Sequence, residues 1–349
     1  MRVKFVLLTL LALFTISILP SLGQEPEYSV LVEGLDNPRG INFDENGNLF
    51  IAEAGTGGDI DIAGPFGPAK LGFTAQVSVF VADALGVVID YLPSLNSGGA
   101  PDAPPEVVGA MDVLPTADHL WVVMGHEISG VAQAGTVVGF DRISLRPEML
   151  FDPYGYEHEY DPDGTGELLS NSVSVAVAPD GMSVLIIDAS GNALYRGSSD
   201  GALDVVKSWE NNPVPTAVDF NADGSQYAVS FLSGFPFATG ATRIEVYDSA
   251  TNELVTTYEG LTNLTDVMFD DDGTLLAVVY SEFNGETFSW IPNSGGVVAI
   301  TPDGIVPVLT GLNFPYSIAK NPVDGSYAVS INAVSNPGEG AIITFTAGE

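Results

Sequence analysis

The sequence predicts an all-β, six-bladed β-propeller with four antiparallel strands per blade, and an internal repeat is the main evidence. A short phrase that begins Gly-Leu occurs at Gly34, Gly260 and Gly311. Each copy is followed by an apolar run, a polar turn and a second apolar run. The distance from the first glycine to the turn glycine is 13 residues in two copies and 14 in the third. Such a fixed period is typical of repeat architectures.

Hairpin patterns give the number of blades. Six segments share one layout, in which two β-rich runs flank a turn that is mostly Asx-Gly, a strong hairpin pattern. Further β-like runs follow most of them, which makes four strands per unit. The six turns lie at Asn46-Gly47, Asp118, Asp180-Gly181, Asp223-Gly224, Asp272-Gly273 and Asp324-Gly325. A β-sandwich whose turns recur by coincidence is the alternative.

The two ends of the repeat predict how the ring closes. Residues 28–33 precede the first phrase, as the fourth strand of a unit would. The last unit, Ser317–Phe345, supplies only three strands. We therefore expect residues 28–33 to complete the final blade, which leaves no unpaired sheet edge.

The N-terminus has the pattern of a secretory signal peptide over residues 1–23. Arg2 and Lys4 precede a 15-residue apolar run from Phe5 to Leu19, and small residues precede Gln24. The run falls short of the ~20 residues that cross a bilayer. We expect a single domain over residues 24–349, secreted or periplasmic, with no membrane span.

Composition narrows the possible partners. The chain has 45 acidic and 10 basic residues, a formal net charge of −35, and no cysteine. This charge argues against binding nucleic acid or anionic lipid and favours cations. The absence of cysteine excludes a thiol nucleophile. We expect a monomer whose partner is a small molecule or a protein.

Strand alternation sorts the loops into two faces. The Asx-Gly turns leave on one face and are short and alike. The other face, called here the loop-rich face, carries long, dissimilar loops, where a rigid scaffold usually places function. Phe235 and Phe237 lie in the loop 231–241 of this face. They predict an aromatic mouth for a planar or apolar ligand, although such rings also pack loops onto blades.

The densest group of titratable residues follows the second blade. Tyr156, Glu157 and His158 could act as acid/base groups or metal ligands. Asp161, Asp163 and Glu167 could hold calcium through carboxylate oxygens, although the spacing is not that of an EF-hand. A solvated acidic loop is the competing interpretation.

A second set of candidates lies at strand ends of the loop-rich face. Arg39 begins a first strand, where it could pair with a carboxylate or hold an acidic ligand. The other members of this set follow second strands: Glu53, His126, Asp188, Asn192 and Glu282.

Several stretches resemble the ScyD/ScyE family, exported propeller proteins named from the scytonemin sunscreen pathway of cyanobacteria. The most specific are Leu232–Phe237 with Gly240-Ala241, Asp188–Leu194, and Asp161–Gly164 followed by Ser170-Asn171. The resemblance covers almost the whole mature chain and implies the fold and export. It supplies no catalytic residues, and membership of the pigment pathway does not follow from it.

The sequence is also compatible with the gluconolactonase-like propellers, which are calcium-dependent hydrolases. Those have an asparagine at the start of a first strand, in an Asn-Gly-Leu pattern. The equivalent positions here are Arg39, Val173, Thr216 and Thr265, and none of them is that asparagine. We therefore expect a binding protein of the loop-rich face, with secondary-metabolite processing as its context, and keep the calcium-dependent lactonase as the alternative.

Overall fold

The protein is a six-bladed β-propeller, as predicted. The computed structural model describes residues 27–346 except 65–66, 83–86, 100–106, 127, 129–130, 132, 180 and 182. The predicted signal peptide, residues 1–23, lies outside this range. No helix of the described chain is long and apolar enough to cross a membrane.

The first strand, β1 (Ser29–Leu35), belongs to the last blade, and blades one to three follow it along the chain. Their elements are β2 (Pro38–Phe43), β3 (Leu49–Glu53), β4 (Ile60–Gly64), β5 (Gly67–Val81), β6 (Val87–Gly99) and β7 (Val107–Val108) in blade one; β8 (Ala110–Pro115), β9 (His119–Met124), β10 (Val137–Asp141) and β11 (Pro147–Phe151) in blade two; and, after α1 (Pro153–Tyr160), β12 (Ser172–Val177), β13 (Val184–Asp188), β14 (Ala193–Gly197) and β15 (Leu203–Ser208) in blade three.

Blades four to six repeat the same four-stranded order, with one small hairpin inserted in blade five. Their strands are β16 (Pro215–Phe220), β17 (Gln226–Phe231), β18 (Thr242–Asp248) and β19 (Leu254–Leu261) in blade four; β20 (Leu264–Phe269), β21 (Leu275–Val279), the hairpin β22 (Phe283–Asn284) and β23 (Ser289–Trp290), β24 (Gly295–Thr301) and β25 (Gly304–Leu312) in blade five; and β26 (Ile318–Lys320), β27 (Tyr327–Ile331) and β28 (Gly340–Phe345) in blade six.

The ring closes where the sequence predicts. Strand β1 pairs antiparallel with β28, with Val32 opposite Ile342 and Ser29 opposite Thr344. The N-terminal strand thus supplies the fourth strand of blade six. Alternate residues of neighbouring blades fill the spaces between the sheets with buried aliphatic and aromatic side chains, such as Tyr195 and Tyr227.

Six hydrogen bonds run around the propeller axis and join each innermost strand to the next. In each case one polar side chain on an innermost strand bonds to the backbone of the following blade. The pairs are Asn42 Nδ2 to Val113 O (3.0 Å), Val175 N to Asp112 (3.0 Å), Val218 N to Ser174 (3.3 Å), Phe269 N to Asp219 (2.8 Å), Ile318 N to Asp266 (2.9 Å) and Ile41 N to Ser317 (3.3 Å).

Two blades form this bond from a different position of the same strand. Four blades use the same strand position for the bonding side chain. Blades one and four have Gly40 and Ala217 there, which cannot bond, and Asn42 and Asp219 two residues later replace them. Gly40 also gives space to its neighbour, because a Cβ at Gly40 would lie 2.2 Å from Asp112 Oδ1.

We predict that Gly40→Ala lowers the free energy of unfolding by at least about 1–3 kcal/mol, the usual cost of overpacking. The added Cβ would also lie 2.7 Å from the Asp112 Cα, so blades one and two must separate. Chemical denaturation measures the loss. Gly285→Ala is the matched control, since no atom lies within 4 Å of a Cβ there. Equal stability of the two variants would contradict the prediction.

The buried acids of the ring predict a pH dependence. Burial raises the pKa of Asp112 and Asp219 to about 7 and that of Asp266 to about 6. The folded state therefore holds more protons than the unfolded state between pH 4 and 7. Stability should fall as pH rises through this window, by about 1.4 kcal/mol for each unit of pKa shift.

Asp266→Ser should make this loss of stability shallower. Serine already accepts the same inter-blade bond in blades three and six, so the bond survives and the titrating group is removed. Denaturation from pH 4 to 8 is the measurement. Asp223→Ser, at an exposed acid whose pKa hydrogen bonds lower, is the control and should keep the full slope.

Candidate functional site

An axial cavity of about 620 Å³ opens on the loop-rich face. Each innermost strand region contributes one side chain to its wall, and all six occupy the same place in the repeat. These six axial residues are Arg39, Met111, Val173, Thr216, Thr265 and Tyr316. Four of these are the positions compared above with the gluconolactonase-like pattern, and the structure adds Met111 and Tyr316. The cavity wall is mostly apolar, with few polar groups.

Arg39 is the one cation among the described residues of this wall and is 6% exposed. Its Nη2 donates to Val107 O at 3.2 Å, and its Cζ lies 5.2 Å from the Tyr316 ring centroid. Its Nε has no hydrogen-bond partner, and no carboxylate forms an ion pair with it, among the residues described. A buried cation without a counter-charge is costly, so an anion in the cavity would stabilise it.

Two further polar groups of the cavity, the His126 imidazole and the Thr265 hydroxyl, are uncharged. Burial lowers the pKa of His126 to about 4, so its imidazole is neutral at neutral pH. The His126 backbone N–H donates to Asn171 Oδ1 at 3.0 Å. Thr265 is 8% exposed, and its hydroxyl has no partner in the described structure. A neutral imidazole and a spare hydroxyl can orient a ligand but add no charge.

Aromatic side chains form one side of the cavity mouth. Phe237 and Tyr280 line the cavity. Phe237 contacts Trp290, with ring centroids 4.9 Å apart. Phe235 is 63% exposed and stacks on Phe288 at 5.8 Å. The predicted aromatic mouth therefore contains Phe237 in the wall and Phe235 just outside it.

Val214 marks a strained part of the wall. Its φ of 57° lies in the left-handed region, which a β-branched residue rarely adopts. Its N–H donates to Asn192 Oδ1 at 3.2 Å, and its carbonyl accepts from Leu232 N at 2.8 Å. These two bonds hold the strained residue against the cavity. Strain of this kind is often found at functional sites.

Glu53 and Asp188, two of the predicted strand-end residues, are almost fully buried and do not line the cavity. Glu53 accepts hydrogen bonds from Asp36 N, Gln76 Nε2 and the Ser78 hydroxyl. Asp188 accepts from the Ser170 hydroxyl, Asn171 N and Gly191 N.

These two carboxylates brace equivalent chain segments. In blade one the bond to Asp36 N holds the loop that enters β2, and in blade three the bond to Asn171 N holds the loop that enters β12. Glu282 is different, since it is exposed and lies outside the cavity lining.

The predicted acidic segment forms a separate group beside blade three. Helix α1 places Glu157 fully buried, and Glu157, Asp161 and Asp163 each offer a carboxylate oxygen within 4.8 Å of the others. Burial, then the charges of Asp188, Asp163 and Asp161, raise the pKa of Glu157 to about 8.

The remaining residues predicted in this segment lie outside that group. Tyr156 packs on Tyr195, with ring centroids 5.3 Å apart. His158 is exposed and contacts Tyr154. Glu167 is exposed as well.

Comparison with known proteins supports the fold alone. No protein-family model matches the sequence, and no curated protein matches it. Among solved structures, the chain resembles a protein of unknown function from Bacteroides thetaiotaomicron (12% identity, TM-score 0.56, covering 92% of this chain and 72% of the other). It also resembles a luciferin-regenerating enzyme (13%, 0.53, 92% and 95%) and a streptogramin B lyase (14%, 0.50, 92% and 97%).

Proposed function

We propose that this protein binds a small organic anion with an apolar or aromatic body in the axial cavity. The observation that carries the proposal is Arg39, a buried guanidinium without an acidic partner among the described residues. Its planar fork fits a carboxylate or a similar oxyanion, and the bond is stronger in an apolar wall than in water.

The shape of the cavity favours a small molecule over a protein partner. A volume of about 620 Å³ lies within the range of small-molecule pockets. Met111, Val173 and Phe237 offer apolar contacts to the body of the ligand, while Thr265 and His126 can orient it. Although the chain as a whole is strongly acidic, Arg39 provides a positive charge in this cavity that selects for an anion.

We further propose that the protein is exported, as a single domain over residues 24–349, and acts as a monomer in secondary-metabolite processing. The pattern of residues 1–23 and the resemblance to the ScyD/ScyE family support export and context. The luciferin-regenerating enzyme and the streptogramin B lyase are enzymes by name, but at 13% and 14% identity their likeness to this chain carries only the fold.

The calcium-dependent lactonase alternative has little support at the axis. None of the six axial residues has a carboxylate, and one of them is a cation. Calcium prefers negatively charged oxygen ligands. A guanidinium at the same ring would repel the ion, so we do not propose metal-dependent hydrolysis in this cavity.

Two dyes of similar shape test the proposal. 8-Anilinonaphthalene-1-sulfonate is an aromatic anion, and N-phenyl-1-naphthylamine is its neutral analogue without the sulfonate. We expect Arg39→Met to weaken binding of the anion by at least about tenfold, the loss expected for a charged hydrogen bond. The neutral dye should bind almost equally to both proteins, because methionine preserves the apolar volume. Fluorescence titration gives both affinities.

Arg146→Met controls for the loss of one positive charge anywhere on the chain. Arg146 is exposed in a turn of blade two, away from the cavity. This variant should bind both dyes like the unchanged protein. If Arg39→Met preserves the preference for the anionic dye, Arg39 does not select the ligand and the proposal is wrong.

A further inference from the structure

We propose that Glu157, Asp161 and Asp163 bind a calcium ion that fastens the segment after blade two to blade three. This site is separate from the axial cavity and does not depend on the function proposed above. The sequence predicts Glu167 as a third ligand beside Asp161 and Asp163. The structure instead brings Glu157 to the two aspartates, from the buried side of α1.

The spacing of the three carboxylates suits one ion. One oxygen from each residue lies within 4.8 Å of the others. Calcium–oxygen bonds are about 2.4 Å long, so two ligands of one ion are at most about 4.8 Å apart. The three oxygens therefore fit around a single ion without a large movement of the chain.

Two carboxylate oxygens of the cluster are buried without a hydrogen-bond donor among the described residues. Glu157 is fully buried, and its Oε1 has no hydrogen-bond partner in the described structure. Asp161 Oδ1 is likewise buried without a partner. The second oxygen of Asp161 accepts from Gly166 N at 3.1 Å, which fixes the direction of the first. A buried carboxylate oxygen without a donor is costly, and a cation would satisfy it.

The charges of the cluster also favour a cation. No lysine or arginine forms an ion pair with any of the three acids in the described part of the chain. Carboxylates this close repel one another, and the repulsion is strongest at Glu157, the buried member of the three. The donor set contains only oxygen, which selects a hard cation over zinc. The irregular loop that carries Asp161 and Asp163 suits calcium better than magnesium, because magnesium demands near-ideal octahedral coordination.

Neighbouring residues hold the cluster in place. Asp163 Oδ1 accepts from Thr165 N at 3.0 Å, and Asp163 Oδ2 accepts from Asn192 Nδ2 at 3.1 Å. A Cβ at Gly191 would lie 2.9 Å from Glu157 Oε2, so glycine leaves room for the buried acid. Such bonds to ligand oxygens orient metal ligands in proteins.

The site is linked to the cavity through one side chain. Asn192 donates to Asp163 and accepts from Val214 N, and Val214 belongs to the cavity wall. An ion at the cluster would therefore steady the loop that holds the strained Val214. This gives the ion a structural role rather than a catalytic one.

The test uses the full chain after treatment with a chelator, titrated with calcium chloride or magnesium chloride in a calorimeter. We expect calcium to bind with measurable heat and to raise the thermal midpoint by several degrees, because it binds only the folded state. Magnesium should bind more weakly. Glu157→Gln should remove the calcium heat and the shift in midpoint. Glu159→Gln, at an exposed acid of the same helix, should retain both.

Stability without calcium keeps the test decisive. Glu157→Gln preserves the shape of the side chain and keeps this position uncharged. In chelator it should therefore melt no lower than the unchanged protein. If that variant does not fold, Asp163→Asn at the rim of the cluster answers the same question. The proposal is overturned if calcium gives neither heat nor a shift in midpoint, or if Glu157→Gln or Asp163→Asn binds calcium as tightly as the unchanged protein.

Discussion

The structure depends on the ring of hydrogen bonds between innermost strands. A propeller has no single core, so each blade must be held to the next at the axis, where the strands are closest. One polar side chain per blade does this, and it is an aspartate, serine or asparagine that bonds to the neighbouring backbone. The exchange of position in blades one and four shows that the bond, and not the position, is what the fold requires. In each blade the axial residue directly precedes the strand position that four blades use for this bond, so the ring and the cavity wall are built from the same strand region.

Much of the fold could be predicted from the sequence, because the repeat fixes it at several levels. The hairpin turns predicted the number of blades. Because the last unit has only three strands, the sequence also predicted that β1 completes the final blade, and β1 does pair with β28. The repeat also has a fixed spacing from which axial residues can be identified. In all three copies of the repeated Gly-Leu phrase, the axial residue lies five positions after the glycine. These axial residues are Arg39, Thr265 and Tyr316. Tyr316 could thus have been assigned to the cavity beforehand.

The site was less predictable, because burial and hydrogen bonding decide what a polar residue does. Glu53 and Arg39 both lie at strand ends of the loop-rich face and are both almost fully buried. Glu53 is satisfied by three donors from its own blade, whereas Arg39 has one carbonyl and a ring. Nothing in the order of amino acids separates them. The inserted α1 likewise rotates Glu157 inward and Glu159 outward, which no repeat specifies.

The number of hydrogen-bond donors around each buried acid therefore indicates its role. Asp188 is as buried as Glu157, and the two lie close enough for each charge to affect the other. Asp188 accepts from a hydroxyl and two backbone N–H groups, and these donors offset part of the rise in its pKa that burial causes. In the part of the chain that the structure describes, Glu157 accepts only from the distant Tyr195 hydroxyl at 3.5 Å, and its other oxygen has no donor. In a protein with so few basic residues, a buried acid left in this state must be neutralised either by a proton or by a cation. The two aspartates beside it make the cation the better solution, because a proton on Glu157 would leave their mutual repulsion unchanged.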